Sequence, residues 1–300
     1  VLSIDGGGIR GVFPAHILNC LQQRLGIKPI DHFGMIAGTS TGSIVAGAIA
    51  CDIELEKVIT LYRKNGKSIF PRKKFWNFPQ LESAFQSRYE KNSLASVLLE
   101  VFGDVKLGQI AIPLLIPATD IGNGSVHVFK SGYSRDFTRD KEVLLRDAVI
   151  ASCSAPTYFD PTKVNEYLLA DGGLWANNPA LAAVIDAQKR LGIELKNIKI
   201  LSIGTGHART CYGVQPSRNW GFVNGWKGPV FIDFLMSLQA QTTHNYLQLL
   251  LKENQILRLN FESDCPLPLD DYSAIDDLIS NADRVFTHSS HKLRDFFEIN

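Results

Sequence analysis

Short apolar runs alternate with amphipathic stretches along the chain, a rhythm that argues for an α/β fold with a mainly parallel central sheet flanked by helices. Val1–Asp5 reads as a strand running into Gly6-Gly7-Gly8, and Val12–Leu25 as the helix after it, with Pro14 tolerable in its first turn. Gly34–Gly38 is a short buried strand followed by Ser40 and a helix of small residues to about Ala50. An amphipathic helix is expected over Leu55–Lys64 and another helix over Asn92–Phe102. Ile112–Ile121 and Ser125–Lys130 read as strands joined by Gly122-Asn123-Gly124, residue types that tolerate positive φ. A helix over Val143–Cys153 precedes a strand at Tyr167–Ala170 that ends on Asp171. Asn178-Pro179 is expected to open the next helix, with Asn as N-cap and Pro at the first helical position. Lys199–Ile203, a long helix near 229–251, a strand at Gln255–Phe261 and a closing helix complete the pattern.

Two segments interrupt the rhythm. Residues 66–90 are aromatic, basic and proline-punctuated, and 207–230 are rich in Gly and Trp, so both are expected to be lids or insertions. There are no repeats and no linker, which favours a single domain over 1–300. The helix near 229–251 is interrupted by Asp233, Gln239, Gln241 and His244, and no stretch reaches the ~18 apolar residues of a membrane span.

Composition narrows the class. A hydrophobic share of 45% and a charged share of 20% belong to a soluble globular protein, and a net charge of +1 leaves no field to recruit nucleic acid. The balance hides an asymmetry. Six basic residues and no acidic one lie between Arg63 and Lys74, and six aspartates and no basic residue between Asp264 and Asp283. A charge block is usually a solvated face, but Phe75, Trp76 and Phe78 follow the basic one, which suits peripheral contact with an anionic membrane. Trp220, Trp226, Phe222 and Phe231 fit the same interface or ordinary core packing. Cys20, Cys51, Cys153, Cys211 and Cys265 are scattered without a C-x-x-C pair. That pattern predicts a reducing, cytoplasmic setting and neither a disulfide framework nor a zinc site. Val1 already sits in a strand-like run, so residues ahead of it are expected, and a targeting peptide among them stays open.

Three glycine-bracketed segments carry the candidate chemistry. Gly38-Thr39-Ser40-Thr41-Gly42 is a G-x-S-x-G between a predicted strand and helix, where a sharp turn pushes the serine hydroxyl out of the sheet. The following helix favours an anion at that point. Asp5-Gly6-Gly7-Gly8-Ile9-Arg10-Gly11 also joins strand to helix, and its backbone N–H groups converge without side-chain obstruction, ready for an oxyanion or a phosphate. Gly6, Gly8 and Gly11 satisfy G-x-G-x-x-G as well, but a dinucleotide site needs an acidic residue closing the second strand, where this chain has Gly38-Thr39-Ser40. Asp171-Gly172-Gly173 closes a third strand; alone it reads as a turn, and its weight comes from sharing a crevice with the other two.

Together these segments resemble the patatin-like phospholipases, in which D-G-G-G-x-[RK]-G forms the oxyanion hole, G-x-S-x-G carries the nucleophile and D-G-[GA] the base. The match falls at 5–11, 38–42 and 171–173 in the family's order, supported by Ala155-Pro156-Thr157-Tyr158-Phe159 and by Leu201-Ser202-Ile203-Gly204-Thr205-Gly206. The resemblance implies a three-layer α/β/α hydrolase, with Ser40 as nucleophile, Asp171 as base and Gly6, Gly7 and Gly8 as oxyanion donors, supported by Arg10, Gly11, Gly38, Gly42, Gly172 and Gly173. It further implies phospholipase A-type cleavage of fatty-acyl esters of membrane glycerolipids through an acyl-enzyme, with no cofactor and no metal. Some bacterial members are antiviral effectors switched on by a cyclic nucleotide, so a small nucleotide activator is a further partner the likeness allows.

Other readings stay open. Arg10 is either a contact to lipid phosphate or to the glycine loop, or a surface arginine at a helix start; Asn177 and Asn178 either brace the Asp171 loop or cap a helix. His207 follows Ser40 and Asp171 in chain order, so a Ser-Asp-His triad competes with a Ser-Asp dyad. A non-lipid esterase or thioesterase, and a catalytically silent nucleotide-sensing module, are the rival functions.

Overall fold

The computed structural model describes residues 1–69, 91–208, 226, 229–265 and 267–299. In chain order the named elements are β1 (Leu2–Ile4), α1 (Val12–Leu25), β2 (Ile36–Gly38), α2 (Thr41–Ala50), α3 (Leu55–Ile69) and α4 (Lys91–Phe102). They continue with β3 (Leu114–Asp120), β4 (Ser125–Lys130), α5 (Leu145–Ser152), β5 (Thr162–Val164) and β6 (Tyr167–Asp171). The last are α6 (Ala180–Arg190), β7 (Ile200–Ile203), β8 (His207–Ala208), α7 (Pro229–Leu250), β9 (Ile256–Leu259), β10 (Glu262–Ser263) and α8 (Ile275–Phe297).

Strand side chains alternate between two faces with the two-residue period of extended chain. Leu2, Ile4, Ile36, Leu114, Ile116, Leu201 and Ile203 enter one buried cluster, which α1, α2, α3, α5 and α8 close. Ala37, Leu115 and Ile200 enter a second, packed under α6 and the end of α7. Helices therefore cover both faces, giving the expected three layers. Ser3 and Ser202 punctuate the second face; both are fully buried, and Asn178 satisfies them, accepting from Ser3 Oγ at 3.2 Å and donating to Ser202 Oγ at 3.4 Å. The same Asn178 Oδ1 accepts from the N–H of Ala180 at 3.0 Å. Pro179 consequently takes the cap position and α6 starts one residue later than the sequence predicts.

The main sheet runs β5-β6-β3-β2-β1-β7-β9, with β4 also on β3. The five strands from β3 to β9 are mutually parallel, whereas β4, β5 and β6 form an antiparallel flank. This flank is where the alternation of runs misleads. β5 lies in a stretch without an apolar run, and the strand that ends at Asp171 runs against β3 rather than with it.

Register explains why that reversal matters. Leu115 pairs with Lys130 of β4 and Ala37 of β2, and Ala118 pairs with His127 of β4 and Asp171 of β6. Since β4 occupies one edge of β3 throughout, β2 and β6 must share the other. They lie end to end on it with carboxyl ends pointing at each other, so Gly38-Thr39-Ser40 and Asp171 converge although their strands are antiparallel. The two segments expected as lids fall largely outside the described residues, as do Arg72–Lys74, Phe75, Trp76, Phe78, Trp220 and Phe222. Trp226 is described and meets Phe231 with ring centroids 5.0 Å apart. No helix among the described residues is long and apolar enough to cross a membrane.

Candidate active site

Ser40 occupies the turn between β2 and α2 with φ 51° and ψ −128°, a left-handed conformation that costs a non-glycine residue on the order of 1–3 kcal/mol. The surroundings hold it there. Its N–H donates to Ser152 Oγ at 2.9 Å, Ser152 Oγ donates on to the Pro117 carbonyl at 2.6 Å, and the Ser40 carbonyl accepts from Ser43 N at 2.8 Å. Gly38 and Gly42 are needed for packing. A Cβ on Gly42 would lie 2.5 Å from the Ile4 carbonyl oxygen, and one on Gly38 would strike the Gly42 carbonyl. Only with both glycines does α2 approach β1 closely enough to form so sharp a turn.

Asp171 arrives from β6, pinned by its N–H to the Ser154 carbonyl at 2.9 Å and by Thr119 Oγ1, which donates to its carbonyl at 2.7 Å. Gly172 lets the chain turn against Pro117, whose carbonyl a Cβ there would strike. The carboxylate is engaged on both oxygens. Ser40 Oγ donates to Oδ2 at 2.6 Å and the N–H of Gly173 to Oδ1 at 2.6 Å. Burial raises the Asp171 pKa to about 7, even though the bonds from Ser40 and Gly173 favour the charged form.

The glycine loop closes the site from the β1 side. A Cβ on Gly6 would lie 3.1 Å from Ser40 Cβ, which places the loop directly against the serine. Its N–H groups are not equivalent. Gly6 donates to the Asn177 carbonyl at 3.0 Å, whereas Gly7 and Gly8 make no such bond among the described residues. Gly8 has φ +59°, and Gly7 packs on Thr205, whose Oγ1 donates to the Gly6 carbonyl at 2.8 Å. Arg10 is turned inward: Nε donates to the Gly7 carbonyl at 3.0 Å, one terminal nitrogen to the Leu267 carbonyl at 3.1 Å, and the other lies 3.7 Å from Asp233 Oδ1. It therefore braces the loop rather than standing on the surface. Gly11 sits beneath the Tyr62 hydroxyl.

A narrow, mainly apolar cleft opens over Ser40 and Asp171, walled by Ile44, Tyr158, Phe159, Met236 and Leu269, with Gly8 at its rim. His207 stands elsewhere, on β8, with Nε2 3.6 Å from Glu262 Oε1 across the small β8–β10 sheet. Ser40 Oγ meets Asp171 directly, with no imidazole between them among the described residues. Several supports escaped the sequence reading. Ser152 resembles any helical serine, and Arg258, which grips the buried Asp5 through two bonds (one of 2.9 Å) below the loop, lies 253 residues away. Only Asp5, inside the glycine segment, gave a local hint of that pair.

Comparison with known proteins identifies the family. The family model for patatin-like phospholipases matches residues 2–184. Patatin-like protein 2 of Oryza sativa subsp. indica is 29% identical, with 87% of this chain and 76% of that protein covered. A cGAMP-activated phospholipase of Escherichia coli (strain TW11681) is 30% identical, covering 94% of this chain and 80% of its own length. Among solved structures, VipD from Legionella pneumophila is similar with a TM-score of 0.44 and 12% identity, over 94% of this chain and 66% of that one.

Proposed function

The chain belongs to the patatin-like phospholipase family and is a lipid acyl hydrolase, and from that premise we propose that it cleaves fatty-acyl esters of membrane glycerolipids through a Ser40–Asp171 dyad. The observation that carries the reading is the direct 2.6 Å bond from Ser40 Oγ to a buried carboxylate whose pKa burial raises to about 7. A carboxylate at its ordinary pKa of about 4 is a poor acceptor for a hydroxyl proton; three units higher, Asp171 is a far stronger base and still ionises near neutrality.

In the proposed cycle Asp171 takes the Ser40 proton as Oγ attacks the acyl carbonyl, and the N–H groups of Gly7 and Gly8 receive the oxyanion. The ester C–O bond then breaks, and the alcohol leaves with the proton returned by Asp171. Water, giving its proton to Asp171, attacks the acyl-enzyme; the acyl C–Oγ bond breaks as Asp171 returns that proton to Ser40 Oγ, and the free fatty acid departs. The assignment narrows the expected three donors to two, because Gly6 is committed to Asn177. The apolar cleft suits an acyl chain more than a polar acyl group, which favours this reading over a non-lipid esterase or thioesterase.

Since the working form of Asp171 is the carboxylate, kcat/KM is expected to rise with pH through about 7 and to level off above it. A profile that is flat across that range with a soluble short-chain ester would overturn the assignment of the base. The decisive assay for the reaction is mass-spectrometric product analysis of mixed phospholipids incubated with wild type and Ser40→Ala. Free fatty acid and lysophospholipid should form with the first protein only.

Nucleotide activation, and with it a role in antiviral defence, is a second reading, supported by the cGAMP-activated relative that aligns with 94% of this chain. Adding cGAMP to the same assay tests it; equal rates with and without the nucleotide would dismiss activation while leaving the hydrolase intact.

A further inference from the structure

The contact between α1 and α8 brings together three metal-ligating side chains. His16 and Cys20 are four residues apart on α1 and so project from one face of the helix. Asp283 meets them from α8. The donor atoms of the three all lie within 4.8 Å of one another. His16 Nε2 is 3.4 Å from Asp283 Oδ2, and Cys20 Sγ is 3.7 Å from Asp283 Oδ1. With zinc–ligand bonds of roughly 2.0 to 2.3 Å, tetrahedral geometry separates N from O by about 3.3 Å and S from O by about 3.5 Å. The donor set must tighten on binding: the two spacings run to different oxygens of the Asp283 carboxylate, and the three donors span up to 4.8 Å against edges of about 3.5 Å.

Hydrogen bonding leaves the histidine available. Both ring nitrogens of His16 are buried and neither makes a hydrogen bond among the described residues, the approach to Asp283 being poorly aligned for one. Unsatisfied buried nitrogens cost stability unless something occupies them. The thiol is shielded, Cys20 being 4% exposed, while the Asp283 side chain is 42% exposed and leaves a path from solvent. Arg24 donates to Asp283 Oδ1 at 2.5 Å, which fixes the carboxylate and leaves Oδ2 turned toward His16. Carboxylate ligands of metals are commonly held by such a second bond.

We propose that, against the expectation from cysteine spacing of no zinc site, His16, Cys20 and Asp283 bind a single divalent zinc ion that clasps α1 to α8, with a solvent molecule as fourth ligand. One thiolate, one imidazole and one carboxylate suit zinc better than the harder calcium or magnesium. Binding breaks the Cys20 S–H bond, forms an S–metal bond and releases the proton to solvent. The role is structural, because α1 directly follows the glycine loop and the ion would stiffen the helix that anchors it.

Cobalt(II) is the probe, with full-length protein freed of metal by chelator. Wild type is expected to take up one equivalent and to show the visible bands of tetrahedral cobalt with a thiolate charge-transfer band, both displaced by zinc. Cys20→Ser should lose the charge-transfer band, and Asp283→Asn, a change at a half-exposed side chain, should weaken cobalt binding by roughly tenfold or more. Zinc should raise the Tm of wild type and not that of Asp283→Asn. Fluorophosphonate labelling of Ser40 reports that each variant is folded. Identical cobalt spectra in wild type and both folded variants, or no uptake by wild type, would overturn the proposal. Cys265→Ser, which alters an exposed thiol outside the cluster, should leave the spectrum unchanged; loss of the thiolate band there would reassign the metal and overturn it equally.

Discussion

Replacing Ser40 by alanine is expected to abolish lipid hydrolysis while leaving the fold intact. Losing a positioned nucleophile typically costs several orders of magnitude in rate, since the oxyanion donors alone retain only a small part of the catalysis. The fold should survive because the side chain contributes one hydroxyl, whose proton goes to Asp171; the turn itself rests on the backbone bonds to Ser152 and Ser43. The strained φ of 51° is equally costly for alanine, so the substitution neither relieves nor adds backbone strain. One change is foreseeable: Asp171 loses a bond that favoured its charged form, so its pKa should rise further. Substantial turnover by a folded Ser40→Ala protein, judged by product release from mixed phospholipids and by circular dichroism, would remove the basis for the nucleophile.

The second large effect belongs to the base. Asp171→Asn is expected to lower kcat by about a hundredfold to ten-thousandfold, because an amide cannot take the Ser40 proton. His207→Ala is expected to keep most of its kcat. Both oxygens of Asp171 are already committed, to Ser40 and to Gly173, and His207 is paired instead with Glu262. An inactive but folded His207→Ala that no longer reacts with a fluorophosphonate would make this a triad enzyme. Stability offers an independent readout. The folded-state pKa of about 7 lies above the unfolded value of about 4, so the native protein holds this proton more tightly. That contribution to stability is complete below pH ~4 and is lost as pH rises through about 7, amounting to about 1.4 kcal/mol per unit and roughly 4 kcal/mol in all. The stability of wild type relative to Asp171→Asn should therefore fall across this window. Parallel stability curves for the two proteins would show that Asp171 ionises normally and would undercut the argument for its basicity.

Much of this was legible in the sequence for a local reason. A short apolar run marks a strand and glycine brackets mark a sharp turn, so β1, α1, β2 and α2 are legible to within two residues from their own side chains. The strained turn at Ser40 is legible too, since a strand, a G-x-S-x-G and a helix are contiguous and the turn is built from neighbours. The identity of Asp171 was legible only through resemblance; an Asp-Gly pair by itself is a turn. What tertiary structure decided is everything that depends on which strands are adjacent. β6 runs antiparallel to β3 and meets β2 end to end, a fact of pairing that no local pattern encodes. The raised pKa of Asp171 comes from burial by distant segments. The engagement of the Gly6 N–H, on which the proposed choice of Gly7 and Gly8 as donors rests, turns on a carbonyl 171 residues further along, at Asn177. The placement of His207 against Glu262, with Ser40 in direct contact with Asp171, is likewise a matter of tertiary structure. Ser40 and Asp171 come within hydrogen-bond distance only through sheet order, and the proposed catalysis depends on separations of a few ångströms that chain position does not set.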